Sequence, residues 1–153
     1  MQITHLSYFL ASIIAYLGLL LGVILIKLAP EEQRPGKRYF ILFKGILFFL
    51  IIAFLLIFYK VNIILTTILL IFIIILMLNK KMKLEKSWLV YFLLGIVFFL
   101  SNKSFNLFII ESVLIFLYGI PNASFILKKK NYFDIFVKNL WFFVPIILFY
   151  IIL

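Results

Sequence analysis

Residues 39–78 read YFILFKGILFFLIIAFLLIFYKVNIILTTILLIFIIILML, with Lys44 and Lys60 as the only charges. Crossing a bilayer core of roughly 30 Å takes about 20 apolar residues, and the crossing segment must be helical because lipid offers no partner to an unbonded backbone group. The stretch holds two segments of that kind, Tyr39 to Tyr59 and Val61 to Leu78, separated by a tight turn at Lys60. It predicts a helical hairpin in a membrane.

The same reading extends in both directions. Leu6 to Leu28 precedes the hairpin; Ser87 to Leu100, Phe105 to Leu127 and Tyr132 to Leu153 follow it. The expected fold is an all-α integral membrane protein, a single compact bundle of about six transmembrane helices over residues 1–153. Composition agrees: 67% of residues are hydrophobic and 13% charged, whereas soluble domains carry about 25% charge. A globule of this size has too much surface to hide so many apolar residues. The first segment lacks the basic start and clear cleavage site of a signal peptide and is too long for one, so it is expected to remain.

Lysine and arginine set the orientation, because they bias a loop toward the cytoplasm. Lys27, Arg34, Lys37, Arg38 and Lys44 surround the first connection, Lys80, Lys81, Lys83 and Lys86 the third, and Lys128, Lys129, Lys130 and Lys138 the fifth. The second and fourth connections hold Lys60 and Lys103, so thirteen of the fifteen positive charges fall on alternate connections. This predicts three cytoplasmic basic loops, both termini on the other side, and a prokaryotic cell membrane as the location. The net charge of +10 then points to anionic lipid headgroups as partners. Nucleic acid is not expected, since lysine outnumbers arginine and base readout relies on arginine forks.

Residues 87–120 admit an alternative with four spans and a re-entrant helical hairpin. At 1.5 Å per residue the fourth segment covers only about 21 Å, and Ser101, Asn102, Lys103 and Ser104 would then turn inside the membrane. Lys103 is costly at that depth, which favours two full crossings.

In the first helix Ala11, Ala15, Gly18 and Gly22 fall on one face, with Gly18 and Gly22 as a GxxxG pair. Small residues let helices approach closely where lipid removes any hydrophobic drive between them. This face is expected to receive either another helix of the same bundle or a membrane partner, including a second copy. Gly119 and Ala123 make a second, weaker small pair on the fifth helix, a candidate complement to the first. Tyr39, Tyr59, Trp88 and Tyr132 lie near segment ends, as headgroup-level aromatics do.

The loop from Ala29 to Arg38 has its own character. Pro30 with Glu31 and Glu32 suits a first helical turn, and Pro35-Gly36 suits a type II turn. Glu31, Glu32, Arg34, Lys37 and Arg38 are expected to form either a plain connection or a cytoplasmic docking loop. The acidic pair matches the start of the Glu-Glu-x-x-x-Arg motif of membrane-embedded CAAX-type proteases. Gly36 stands at the arginine position and metal-binding histidines are lacking, so that family is excluded.

Charges within spans are the first places to seek function. Lys44 and Lys138 are expected to snorkel, and Asp134 to pair with Lys138 four residues on. Glu111 differs, lying about 9 Å into the fifth helix by the helical rise among Ile109, Ile110 and Val113. It is expected either neutral through desolvation or ionised beside Lys60 or Lys103. With Ser112, Tyr118 and Asn122, and with Asn62, Thr66 and Thr67 of the third helix, Glu111 is expected to line a small polar cavity or to make one interhelical hydrogen bond. Pro121 leaves a carbonyl free nearby.

Catalysis is not expected. Cysteine is absent, His5 is the single histidine and Asp134 the single aspartate, so no cysteine- or histidine-based metal site, cysteine nucleophile or aspartate pair is expected. The elbow, Walker and dinucleotide glycine motifs are missing, and no cofactor is expected. Two functions remain: a noncatalytic subunit, scaffold or assembly component, or a small transporter or substrate-binding subunit built on Glu111.

Overall fold

The structure, a computed structural model, describes residues 4–29, 31, 33–78, 87–126 and 132–152. Among these residues it is all helical, without strands: α1 (His5–Leu28), α2 (Gln33–Phe58), α3 (Ile63–Leu78), α4 (Ser87–Ser101), α5 (Phe105–Ile126), α6 (Tyr132–Asn139) and α7 (Phe143–Ile152). Three stretches are long and apolar enough to cross a membrane: His5–Leu28, Arg38–Phe58 and Phe105–Ala123. Ile63–Phe72, Trp88–Ser101 and Phe136–Leu148 are shorter and also apolar.

Local chemistry explains the helix ends. Thr4 caps α1, its hydroxyl accepting from the Ser7 amide at 3.3 Å, as an N-terminal turn with unpaired donors requires. The turn after α2 has Val61 N–H donating to Leu56 O and Lys60 N–H to Ile57 O, with Lys60 at φ 50°. That is a Schellman closure with lysine where glycine is usual. Asn62 then starts α3, its side-chain oxygen accepting from Ile64 N–H at 2.9 Å.

Two expectations are corrected here. Pro35-Gly36 is not a turn: α2 begins at Gln33, and no glycine has positive φ among the described residues. Proline is tolerated there because the first amides of a helix have no intrahelical acceptor to lose. The sixth apolar segment is likewise not one continuous helix, since a 3₁₀ stretch, Leu140–Phe142, separates α6 from α7. Pro145 removes the amide that would bond to Trp141 O and its ring crowds that carbonyl, so the chain tightens just before it.

α5 sits at the centre, packed along α1 and α2 and touching α4, while α4 also carries the 3₁₀ stretch and α7; α3 rests on α2. α1 and α5 run parallel: Tyr8 stacks on Phe108 at 6.0 Å, Gly18 meets Phe116, and Gly22 meets Ile120 and Ala123. The start of α1 lies beside the end of α7, with the Tyr8 and Tyr150 rings 5.4 Å apart. It also lies beside the end of α4, Tyr8 to Phe98 being 5.3 Å. One end of the bundle thus gathers His5, the Tyr59–Lys60 turn, the 102–104 turn and Tyr150. The helix ends flanking the three lysine-rich connections lie at the other. Lys80 to Lys86 and Lys128 to Lys130 themselves lie outside the described residues.

The core is mostly apolar, with a few buried polar residues, and the exterior is apolar as well. Ser12, Ser101, Glu111, Asn122 and Asn139 are buried, whereas Leu10, Ile14, Ile24, Leu42, Ile57, Ile68 and Ile71 are exposed. A soluble protein would leave such apolar surface against water at about 25 cal/mol per Å²; against lipid it costs nothing.

Candidate functional site

The small-residue face of α1 is occupied from within the chain. Ala15, Gly18 and Gly22 are buried and Ala11 packs against the core. A Cβ added at Gly18 would collide with the Phe116 carbonyl, and one added at Gly22 would come within 2.5 Å of the Ile120 carbonyl oxygen and 2.7 Å of Ala123 Cβ. Gly119 returns the contact, its missing Cβ making room for the Leu19 amide. The GxxxG face of α1 and the small pair of α5 therefore meet each other. A second close approach joins α4 to the break before α7, where Gly95 admits the Phe142 carbonyl and the Pro145 ring.

α5 directs its polar residues inward. Glu111, Tyr118 and Asn122 are buried, with Ile115 between them on the same face. Ser112 points elsewhere, its hydroxyl donating to Phe108 O at 2.6 Å on its own helix. Lys44 does not snorkel. Half-buried on α2, its ammonium donates to Asn122 Oδ1 at 2.6 Å and lies 5.6 Å from the Tyr118 ring centroid. Desolvation makes an amide oxygen and a ring face effective partners for a cation here. Tyr91 of α4 stands edge-on to Tyr118 at 6.1 Å and reaches toward Asn122, although neither its hydroxyl nor Asn122 Nδ2 completes a hydrogen bond. Tyr16 joins the cluster beside Tyr91 and donates to Phe136 O at 2.6 Å.

That last bond has a counterpart at the opposite end, where Tyr59 Oη donates to Leu100 O at 2.8 Å. Both carbonyls belong to the last turn of a helix, whose oxygens have no intrahelical donor. A tyrosine hydroxyl supplies one in each case, from buried Tyr16 on α1 and from half-buried Tyr59 in the turn after α2.

Glu111 is 0% exposed, and neither carboxyl oxygen has a hydrogen-bond partner among the described residues. The expected lysine partners are engaged or turned away: the Lys103 ammonium lies 5.5 Å over the Tyr59 ring and Lys60 is exposed. The expected polar cavity with the third helix is not formed. Thr67 is exposed and donates to Ile63 O, Thr66 donates to Val61 O at 3.4 Å, and α3 packs on α2 instead. Each threonine donates to its own backbone, and neither makes a hydrogen bond to Glu111.

Comparison with protein families, curated proteins and solved structures finds no match to this chain. Function must be argued from geometry alone. In the proposed docking loop, Glu31 and Arg38 are exposed; Glu32 lies outside the described residues. Arg34, Lys37 and Arg38 stand on the opening turns of α2 and not in a loop; the side chains of Arg34 and Lys37, and that of Asp134, which was expected to pair with Lys138, are outside those described. Lys44, Tyr16 and Tyr91 were missed as a cluster. Among the headgroup-level aromatics, Tyr39 is exposed, and Trp88 is exposed beside Trp141 at 5.5 Å. Tyr132 begins α6, but its side chain is outside those described.

Proposed function

We propose that the chain is a six-span integral membrane protein acting as a noncatalytic subunit, scaffold or assembly component. In this reading the three basic connections face the cytoplasm, where anionic headgroups meet them, and both ends of the chain face the other side. The observation that carries the noncatalytic role is the tight α1–α5 packing together with the burial of Glu111 among the described residues. The α1–α5 contact is a glycine-to-backbone approach with no room for a methyl group, and the one acid in α5 is sealed from solvent. A rigid bundle of this kind offers a partner its apolar flanks and charged end rather than a route through the middle. The position of the 102–104 turn, level with the Tyr59–Lys60 turn, supports a full crossing by α4 and α5 over a re-entrant hairpin.

The chain has no cysteine, so single introduced cysteines report sidedness without background. A membrane-impermeant maleimide applied to intact cells should label Asn102→Cys and leave Glu31→Cys unlabelled until the membrane is opened. Purification in mild detergent should recover a membrane partner in constant ratio. A chain recovered alone, whose expression produces a solute flux abolished by Glu111→Gln, would overturn the scaffold role. The second reading, a small transporter or binding subunit, draws on one specific observation: a buried carboxyl with no partner among the described residues costs stability that function can explain.

A further inference from the structure

At the end of the bundle away from the basic connections, an open groove of about 280 Å³ runs between α2 and α5, lined by the apolar Phe54, Ile57, Phe58, Leu107 and Ile110 and by the polar Ser104 and Asn106. That is smaller than the roughly 300–1,000 Å³ of a site for a compact ligand, and it is open along its side. Lys103 precedes Ser104 in sequence, and its ammonium lies 5.5 Å over the ring of Tyr59, the residue after Phe58. Lys60 follows as a second exposed cation. No Asp or Glu side chain lies at this end among the described residues. Of the five acids in the chain, Glu31, Glu32, Glu85 and Asp134 belong to the basic connections or the helix beside them, and Glu111 is buried.

We propose that this groove holds one anionic phospholipid of the non-cytoplasmic leaflet, with an acyl chain along Ile57, Phe54 and Ile110 and the phosphate between Lys103 and Lys60. The inference rests on the membrane-spanning reading above. Every part of such a lipid meets matching chemistry. The chain lies on apolar side chains, the glycerol and phosphate oxygens face Ser104 and Asn106 as donors, and the negative charge meets lysines with no acidic side chain beside them among the described residues. The Tyr59 ring holds the Lys103 ammonium near the groove, which reduces the ordering cost of binding.

The test is native mass spectrometry of the full chain released from vesicles of phosphatidylglycerol mixed with phosphatidylcholine. The expected result is one retained phosphatidylglycerol. Lys103→Gln should lower retention about tenfold, Lys103→Arg should keep it, and Ile57→Trp, which fills the groove from an exposed position, should abolish it. Ile71→Trp, which adds the same bulk at an exposed position of α3 outside the groove, should change nothing. Equal retention of the two lipids, retention unaffected by both Lys103→Gln and Ile57→Trp, or equal thermal protection by inorganic phosphate in lipid-free detergent would overturn the proposal. Failure of the chain to enter vesicles at all would instead overturn the membrane reading, so the two failures are distinct.

Discussion

Gly18 and Gly119 interlock across the α1–α5 contact: a Cβ on Gly119 would press on the Leu19 amide and stand 2.6 Å from the Gly18 carbonyl carbon, and a Cβ on Gly18 would strike the Phe116 carbonyl. Neither obstacle is a flexible side-chain tip, so neither can turn aside. The two helices gain dispersion contacts along their whole parallel run because of this approach.

Gly18→Ala and Gly119→Ala should therefore each destabilise the bundle by about 1–3 kcal/mol, the usual cost of overpacking a dense interior. Gly36→Ala provides the contrast. At that position the added methyl meets only the Phe40 ring, 2.9 Å away at its nearest atom, and alanine improves helix propensity. Thermal unfolding in detergent, followed by helical circular dichroism, should show the first two variants melting earlier and the third within a degree or two of the parent. Equal melting of all three would remove the α1–α5 contact as the centre of the fold.

The Lys44–Asn122 bond makes a second measurable claim. A hydrogen bond to a charged group is worth about 1.5–3 kcal/mol when it is desolvated, although interhelical polar bonds in membrane proteins average nearer 0.6 kcal/mol. Lys44→Met and Asn122→Leu should each lower the midpoint of unfolding, and the double variant should lose less than the two losses combined. A coupling of about 1 kcal/mol in this cycle is expected; additive losses would mean that the ammonium spends its time elsewhere.

How legible these features were follows from the distance over which each is determined. Apolar runs mark helices locally, so α1, α4 and α5 begin and end within a residue of the segments read from sequence. Glu111 stood out because an acid among Ile109, Ile110 and Val113 has no ordinary explanation. Partner choice was legible only in part: the small pair Gly119 and Ala123 offered a complement to the α1 face, but nothing local decided between it and a partner outside the chain. Gly18 and Phe116 are nearly a hundred positions apart, and a GxxxG pair reads the same whether its partner is in the chain or outside it. Lys44 was misread because a lysine near a helix end can reach the headgroups as readily as a neighbouring helix, and only the placement of Asn122 and Tyr118 decides. Thr66 and Thr67 were misread for the opposite reason. A hydroxyl that bonds back to its own helix looks, in sequence, like one available to line a cavity. The break at Leu140–Phe142 was written in Pro145, whose effect falls on the turn before it.

Lys60 carries a prediction of the opposite sign. A non-glycine residue at φ 50° pays about 1–2 kcal/mol for the left-handed conformation, and the Schellman closure around it would be the same with glycine. Lys60→Gly should raise the unfolding free energy by about 1 kcal/mol, less a few tenths for the greater freedom of glycine in the unfolded chain. Lys60→Val should lower it, since a β-branched residue tolerates positive φ least. The same pair of variants checks the turn itself, because a flexible connection would respond to neither.

Glu111 separates the two proposed functions most cleanly, through stability read together with cellular phenotype. A fully buried carboxyl without a hydrogen-bond partner costs about 1–3 kcal/mol relative to an apolar side chain of similar shape. Glu111→Met or Glu111→Leu should then stabilise the bundle in detergent by about that amount, while Glu111→Gln, equally polar and equally unpaired, should leave it nearly unchanged. A protein that keeps such a cost without using the group is poorly explained. A stabilised Met variant that also loses its cellular phenotype would therefore move the balance toward transport or ligand binding. If the Met variant is destabilised instead, the carboxyl is held by a group outside the described residues and acts as a structural bond between helices, as the scaffold reading requires.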